Sequence, residues 1–228
     1  MKEFLTQSAY FGMVLTLAAF FFGKYLKNKL KSELCNPILV ATMLIIAVLL
    51  VTGVSYEDYN SGAKYISYLL TPATVALAIP LYEQFEILKK NWKAVLLGIL
   101  SGVIASVGSI TLLAVIYGLG RTEWITLLPK SVTTAIGMGV SEELGGNPSI
   151  TAAVIILTGV AGNVMAHTVM KLFKIKEPVA VGVAIGTSSH AIGTSKACEI
   201  GETEGAMSGL SIAVAGILTV IAVSFICG

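Results

Sequence analysis

The feature that most constrains this chain is a set of stretches without a single Asp, Glu, Lys or Arg: residues 4–23, 37–53, 65–82, 94–118, 144–170, 178–195 and 205–228. A helix that crosses the hydrocarbon core of a bilayer needs about 20 mostly apolar residues. Several of the stretches reach that length and the rest come close. Charged residues are 12% of the 228 and hydrophobic residues 55%, whereas a soluble domain is about 25% charged. The expected fold is therefore an all-α polytopic membrane protein, a transmembrane helix bundle with the lipid bilayer as its principal partner. The charged connectors are too short to form an extramembrane module, so one integral membrane domain is expected over 1–228.

Loop charge orients the bundle, because Lys and Arg accumulate on the cytoplasmic side. Lys24, Lys27, Lys29 and Lys31 follow the first uncharged stretch, Lys89, Lys90 and Lys93 follow the third, and Lys171, Lys174 and Lys176 follow the fifth. Residues 1–64 are expected to hold two N-terminal transmembrane helices. The basic cluster follows the first apolar stretch, and no small-x-small cleavage site is evident, so that stretch reads as a membrane helix, not a signal peptide. Residues 65–228 are expected to form a core with interrupted segments at 65–82, 130–146 and 178–197. Segments 130–146 and 178–197 either dip in and return, or span as broken helices. The re-entrant alternative is preferred because it keeps Lys171, Lys174 and Lys176 inside. It also places the C-terminus outside. Residues 73–80 resemble 132–139, a weak internal repeat of the kind that marks transport sites in membrane proteins.

Non-helical backbone cannot face lipid and must be buried in protein or line a wet cavity. Three polar, helix-breaking segments therefore hold the candidate chemistry: the run around Thr74, the run around Ser131, Thr133 and Thr134, and Gly186–Lys196. The last carries two Gly-Thr-Ser triplets around His190. Its hydroxyls at Ser188, Ser189 and Thr194, with Gly193 admitting a ligand to the backbone, suit a small polar solute. Helix N-termini there favour an anion. Lys130 and Lys196 border these segments and read as interfacial lysines able to neutralise a carboxylate. His190 is the candidate proton or substrate group, since histidine titrates near neutral pH. Glu142 is a second coupling candidate, although Glu142 and Glu143 read first as turn residues. His167 reads as a packing residue beside Asn163.

Other classes find no support. The net charge of +2 with no basic face gives no sign of nucleic-acid binding. Cys35, Cys198 and Cys227 lack metal-ligand or disulfide spacing. No nucleophile-elbow, phosphate-loop or zinc-protease motif occurs, so neither an enzyme nor a cofactor is expected.

At these same residues the chain resembles the LrgB/CidB family, which includes the membrane part of the plant plastid glycolate/glycerate translocator. The matching strings are Leu128–Thr134, Gly145-Gly146, Ser189–Thr194 and Glu204–Ala206, with 72–82 upstream. Many members carry Pro at the position of Ala135 and an acidic residue at that of Gly139, so ion coupling at Gly139 is not implied. The resemblance implies an elevator-like transporter architecture in a bacterial plasma membrane and a homo-oligomer. It carries two functional expectations. The one favoured by the hydroxyl-rich segments is proton-linked transport of small monocarboxylates of pyruvate, lactate, glycolate or glycerate type. The other is antiholin-like regulation of murein hydrolase export and autolysis with a small holin-like LrgA/CidA-type partner.

Overall fold

The computed structural model describes residues 10–30, 37–69, 72 and 78–228, and every described element is helical. The chain divides into two compact units, 1–76 and 77–228. In the first, α1 (Phe11–Leu30), α2 (Pro37–Thr52) and α3 (Tyr56–Ser67) pack together. The α1 helix runs past Gly23 through Lys24, Lys27 and Lys29, so the first basic cluster begins inside the helix and not after it. Ser55 caps α3 by accepting from the Asp58 amide at 3.1 Å, and the Tyr59 hydroxyl meets Thr16 of α1 at 2.7 Å.

The second unit contains α4 (Ala78–Glu83), α5 (Phe85–Tyr117), α6 (Arg121–Leu127), α7 (Thr134–Glu143), α8 (Pro148–Leu172), α9 (Pro178–Ile200) and α10 (Glu202–Cys227). Helices α5, α8 and α10 are long and apolar enough to cross a membrane. They bury narrow stripes, on α5 Val95, Ile99, Val103, Val107 and Ile110, and expose large apolar side chains such as Ile104, Val115, Ile221 and Phe225. In lipid that exposure carries no hydrophobic penalty.

Lys89, Lys90 and Lys93 were expected in a loop, but α5 already starts at Phe85. The edge of the apolar layer is not a helix edge. Lys89 pairs with Glu86 at 3.3 Å and lies over the Phe85 ring, both within one turn of helix. At about 1.5 Å per residue, a helix of 33 residues outreaches a hydrocarbon core of about 30 Å.

Between the spans the chain folds back twice. The α6–α7 hairpin reverses over residues 128–133, where Pro129 has no amide to donate and Thr133 is extended (φ −67°, ψ 150°). Thr151 of α8 ties its two limbs together: Thr151 Oγ1 donates to the Thr126 carbonyl of α6 and lies 2.8 Å from Ser141 Oγ of α7. The hairpin therefore starts at Arg121, earlier than the expected Lys130, and Lys130 lies in the reversal instead of at the border. Gly145 (φ 86°) ends the return limb in the left-handed conformation. Asn147 then caps α8 by accepting from the Ser149 and Ile150 amides, with Pro148 in the first turn.

The second hairpin is α9 itself, which breaks at His190 (φ 42°, ψ −142°). Both limbs lie against the start of α10: Gly182 faces Glu204 and Met207, while Cys198 faces Gly205. The Ile185 side chain and carbonyl also touch Gly193, eight residues on, which no continuous helix allows.

The two hairpins approach from opposite ends. Along α5, Gly98 and Gly102 face Val183 and Thr187 of the second hairpin, while Ser106 and Thr111 bond Ser131 and Trp124 of the first. On α8, Thr151 contacts the first hairpin and Ala166 the second. A hairpin followed by a span thus occurs twice, 121–172 and 178–227, in opposite directions. The repeat sought in sequence involves 73–77, which lie outside the described residues.

Candidate functional site

The reversal of α9 is held by three neighbours. His190 is buried, and its Nε2 lies 2.9 Å from the Ile155 carbonyl of α8. A carbonyl only accepts, so Nε2 carries the proton in this bond and Nδ1 is the free ring position. The ring reaches α8 because residue 159 is glycine: a Cβ there would stand 2.6 Å from His190 Cε1. Thr194 Oγ1 donates to the His190 carbonyl at 3.0 Å and meets Ser208 Oγ of α10 at 2.7 Å. Asn163 Nδ2 of α8 donates to the Ile192 carbonyl at 2.8 Å. A non-glycine residue at positive φ costs about 1–3 kcal/mol and persists only when its surroundings hold it. Here the ring and the following turn are both fastened to α8, and the carbonyl is tied through Thr194 to Ser208 of α10.

Several hydroxyls expected to hold solute are thus engaged internally. Thr194 is 2% exposed and occupied on both sides. Ser188 donates to the Ala184 carbonyl and sits 3.0 Å from Ser189 Oγ, which packs against Gly162. Gly193 serves the close approach of the two limbs. Ser188 is the one of these three serine and threonine side chains that is exposed.

The first hairpin offers a different arrangement. Ser131 Oγ accepts from Lys130 Nζ and from Ser106 Oγ of α5, both at 3.0 Å. Thr133 is the N-cap of α7 without a side-chain cap bond, and Thr134 begins the helix; both are half-buried. Thr74 lies outside the described residues. Glu142 and Glu143 are exposed at the far end of the return limb, where the Glu142 carbonyl accepts from Gly145, and not at the reversal. Lys196 pairs with Glu199 at 3.3 Å within its own limb. His167 is exposed, and its expected neighbour Asn163 serves the His190 reversal instead.

Ser106, Thr187, Ser208, Gly159 and the Ile155 carbonyl are functional neighbours that the sequence does not single out by themselves. Thr187 carried a visible signal, because it belongs to the first Gly-Thr-Ser triplet. The others sit in ordinary-looking apolar helices and acquire meaning only from the hairpins. Among the described residues no cluster of His, Cys, Asp or Glu could hold a metal ion. A groove of about 710 Å³ between α5 and α10 is walled by Leu100, Ile104, Leu112 and Ile221, with Thr111 its only polar lining residue. It does not include the polar reversals.

These features define a polytopic helical membrane protein whose core holds two opposed hairpins with polar reversals. The chain belongs to the LrgB-like family, whose model matches residues 16–228. It is 42% identical to the antiholin-like protein LrgB of Bacillus subtilis (strain 168), over 96% of this chain and 95% of that one. The antiholin-like LrgB proteins of Bacillus mycoides (strain KBAB4) and Bacillus cereus (strain B4264) are each 39% identical over the same shares. No solved structure matches.

Proposed function

We propose that this chain is an antiholin-like protein of the bacterial cell membrane that restrains murein hydrolase export and autolysis with a small holin-like partner. The observation that carries this is identity of 39–42% across 96% of the chain with proteins named antiholin-like LrgB. The reading needs no catalytic group. The test is detergent-induced lysis of cells lacking the gene, with and without the chain restored and with and without the holin-like partner. Slower lysis on restoration, dependent on the partner, supports the role. Lysis at the same rate in all four strains removes it.

A second reading, favoured by the two polar reversals that meet along α5, is that the molecular activity is passage of a small monocarboxylate. Buried polar groups at membrane depth are costly and imply a task. The two readings are compatible, since flux of a weak acid can change the state of the membrane that governs autolysis. Uptake of labelled pyruvate, lactate and glycolate into proteoliposomes, with and without a pH gradient, tests it. Uptake no faster than in empty liposomes ends this second reading.

A further inference from the structure

Hydroxyls inside helices usually bond the carbonyl three or four residues back, and on α9 and α10 Ser188, Thr194, Ser195 and Ser211 all do so. Thr187 does not. It is 5% exposed, and its Oγ1 is the one buried side-chain polar atom without a hydrogen-bond partner among the described residues. An orphaned buried hydroxyl costs about 1–3 kcal/mol, so a partner absent from the chain is the economical explanation. Thr187 covers Gly102 of α5. Ser106 lies one turn further along the same face, about 6 Å on, and bonds Ser131 of the opposite hairpin.

Beside it stands Lys130, half-buried, with its ammonium on Ser131 Oγ and no carboxylate within ion-pair distance among the described residues. Ser131 Oγ accepts two hydrogen bonds, which leaves its own proton to donate. One uncompensated ammonium and two hydroxyl protons without an acceptor, from hairpins that meet on one stripe of α5, ask for a ligand that is singly negative and rich in oxygen acceptors. A doubly charged oxyanion overcompensates a single ammonium in a low-dielectric setting.

We infer that Lys130, Ser131 and Thr187, with Ser106 as the bridge between the hairpins, form a binding site for a small carboxylate monoanion. The site rests on the solute-passage reading above and gives it a location distinct from the His190 reversal. The Lys130 ammonium neutralises the carboxylate, and the Ser131 and Thr187 hydroxyls each donate to it. Because the two donors come from opposite hairpins, the bound anion joins them.

The test uses the purified full-length chain in lipid nanodiscs, with thermal unfolding followed as sodium acetate replaces sodium chloride at constant ionic strength. The parent Tm rises as acetate replaces chloride. Lys130→Met and Thr187→Val each lower the apparent acetate affinity about tenfold or more, the consequence of losing one hydrogen bond to a charged group. Thr187→Ser retains the response, and Thr187→Val in chloride melts no lower than the parent because an orphan hydroxyl has been removed. A parent Tm indifferent to acetate overturns the site, and so does an unchanged acetate response in Thr187→Val. Acetate binding without carboxylate flux in proteoliposomes defeats the passage reading alone. Flux without an acetate response defeats this site alone.

Discussion

At the scale of single residues, the His190 reversal is a contact between a ring and a helix that tolerates no side chain at position 159. Gly159→Ala puts a methyl group 2.6 Å from His190 Cε1, well inside contact distance. Displacing the ring also removes its bond to the Ile155 carbonyl. We expect about 1–3 kcal/mol of lost stability, the usual cost of overpacking, read as a lower Tm in detergent at unchanged membrane insertion. His190→Gln is the complementary change, since an amide N–H can still donate to Ile155 while the titrating nitrogen is gone. If the ring's charge takes part in uptake, the variant keeps its Tm and flattens the pH dependence of uptake between about 5 and 8. A variant with the parent's pH profile makes His190 a structural residue. The sequence singles out His190, an imidazole amid hydroxyls, and the structure places it at the break in α9. Its partner was not legible in the sequence, because a backbone carbonyl of an apolar helix leaves no trace in residue identity.

At the scale of elements, the two limbs of the first hairpin are joined by a buried polar knot. Thr151 and Ser141 are both 0% exposed, and Thr151 also bonds the Asn147 carbonyl. Thr126 contributes twice, its carbonyl to Thr151 and its hydroxyl to the Asn147 amide at 2.9 Å. Thr151→Val keeps the shape and strands Ser141. We expect a loss of about 1–3 kcal/mol, the cost of an unsatisfied buried group, with the α6–α7 limbs the first to exchange amide hydrogen for deuterium. Equal exchange in parent and variant counts against the knot as the clasp. The existence of this hairpin was legible because 130–146 lacks the apolar length of a span. Its start was misplaced, because Arg121–Leu127 reads as a loop or the tail of a span until it is seen to pair with the return limb. The α9 hairpin was read closer to its bounds, since Pro178 opens it and two glycine-bearing triplets flank the break.

At the scale of the whole molecule, charge gives the second unit a direction through the membrane. The hairpin contacts place the start of α5, the end of α8 and the base of α9 at one end of that unit. Lys89, Lys90 and Lys93 therefore share that end with Lys171, Lys174 and Lys176. Arg121, whose guanidinium donates to the Cys227 carbonyl, lies at the other end with Glu142 and Glu143. An odd number of crossings between the two basic clusters would separate them. Spans α5 and α8, with the first hairpin returning on its own side, bring them together. The prediction is for single cysteines at Lys90, Lys174 and Glu143, all exposed, in a chain whose native Cys35, Cys198 and Cys227 are replaced. In intact cells a membrane-impermeant maleimide should label the cysteine at 143 and spare those at 90 and 174. Inverted membrane vesicles should give the reverse pattern, because the positive-inside bias assigns the lysine-rich end to the cytoplasm. Labelling of 90 and 174 from opposite sides means that one hairpin crosses the bilayer and does not return, and the opposed-hairpin core fails with it.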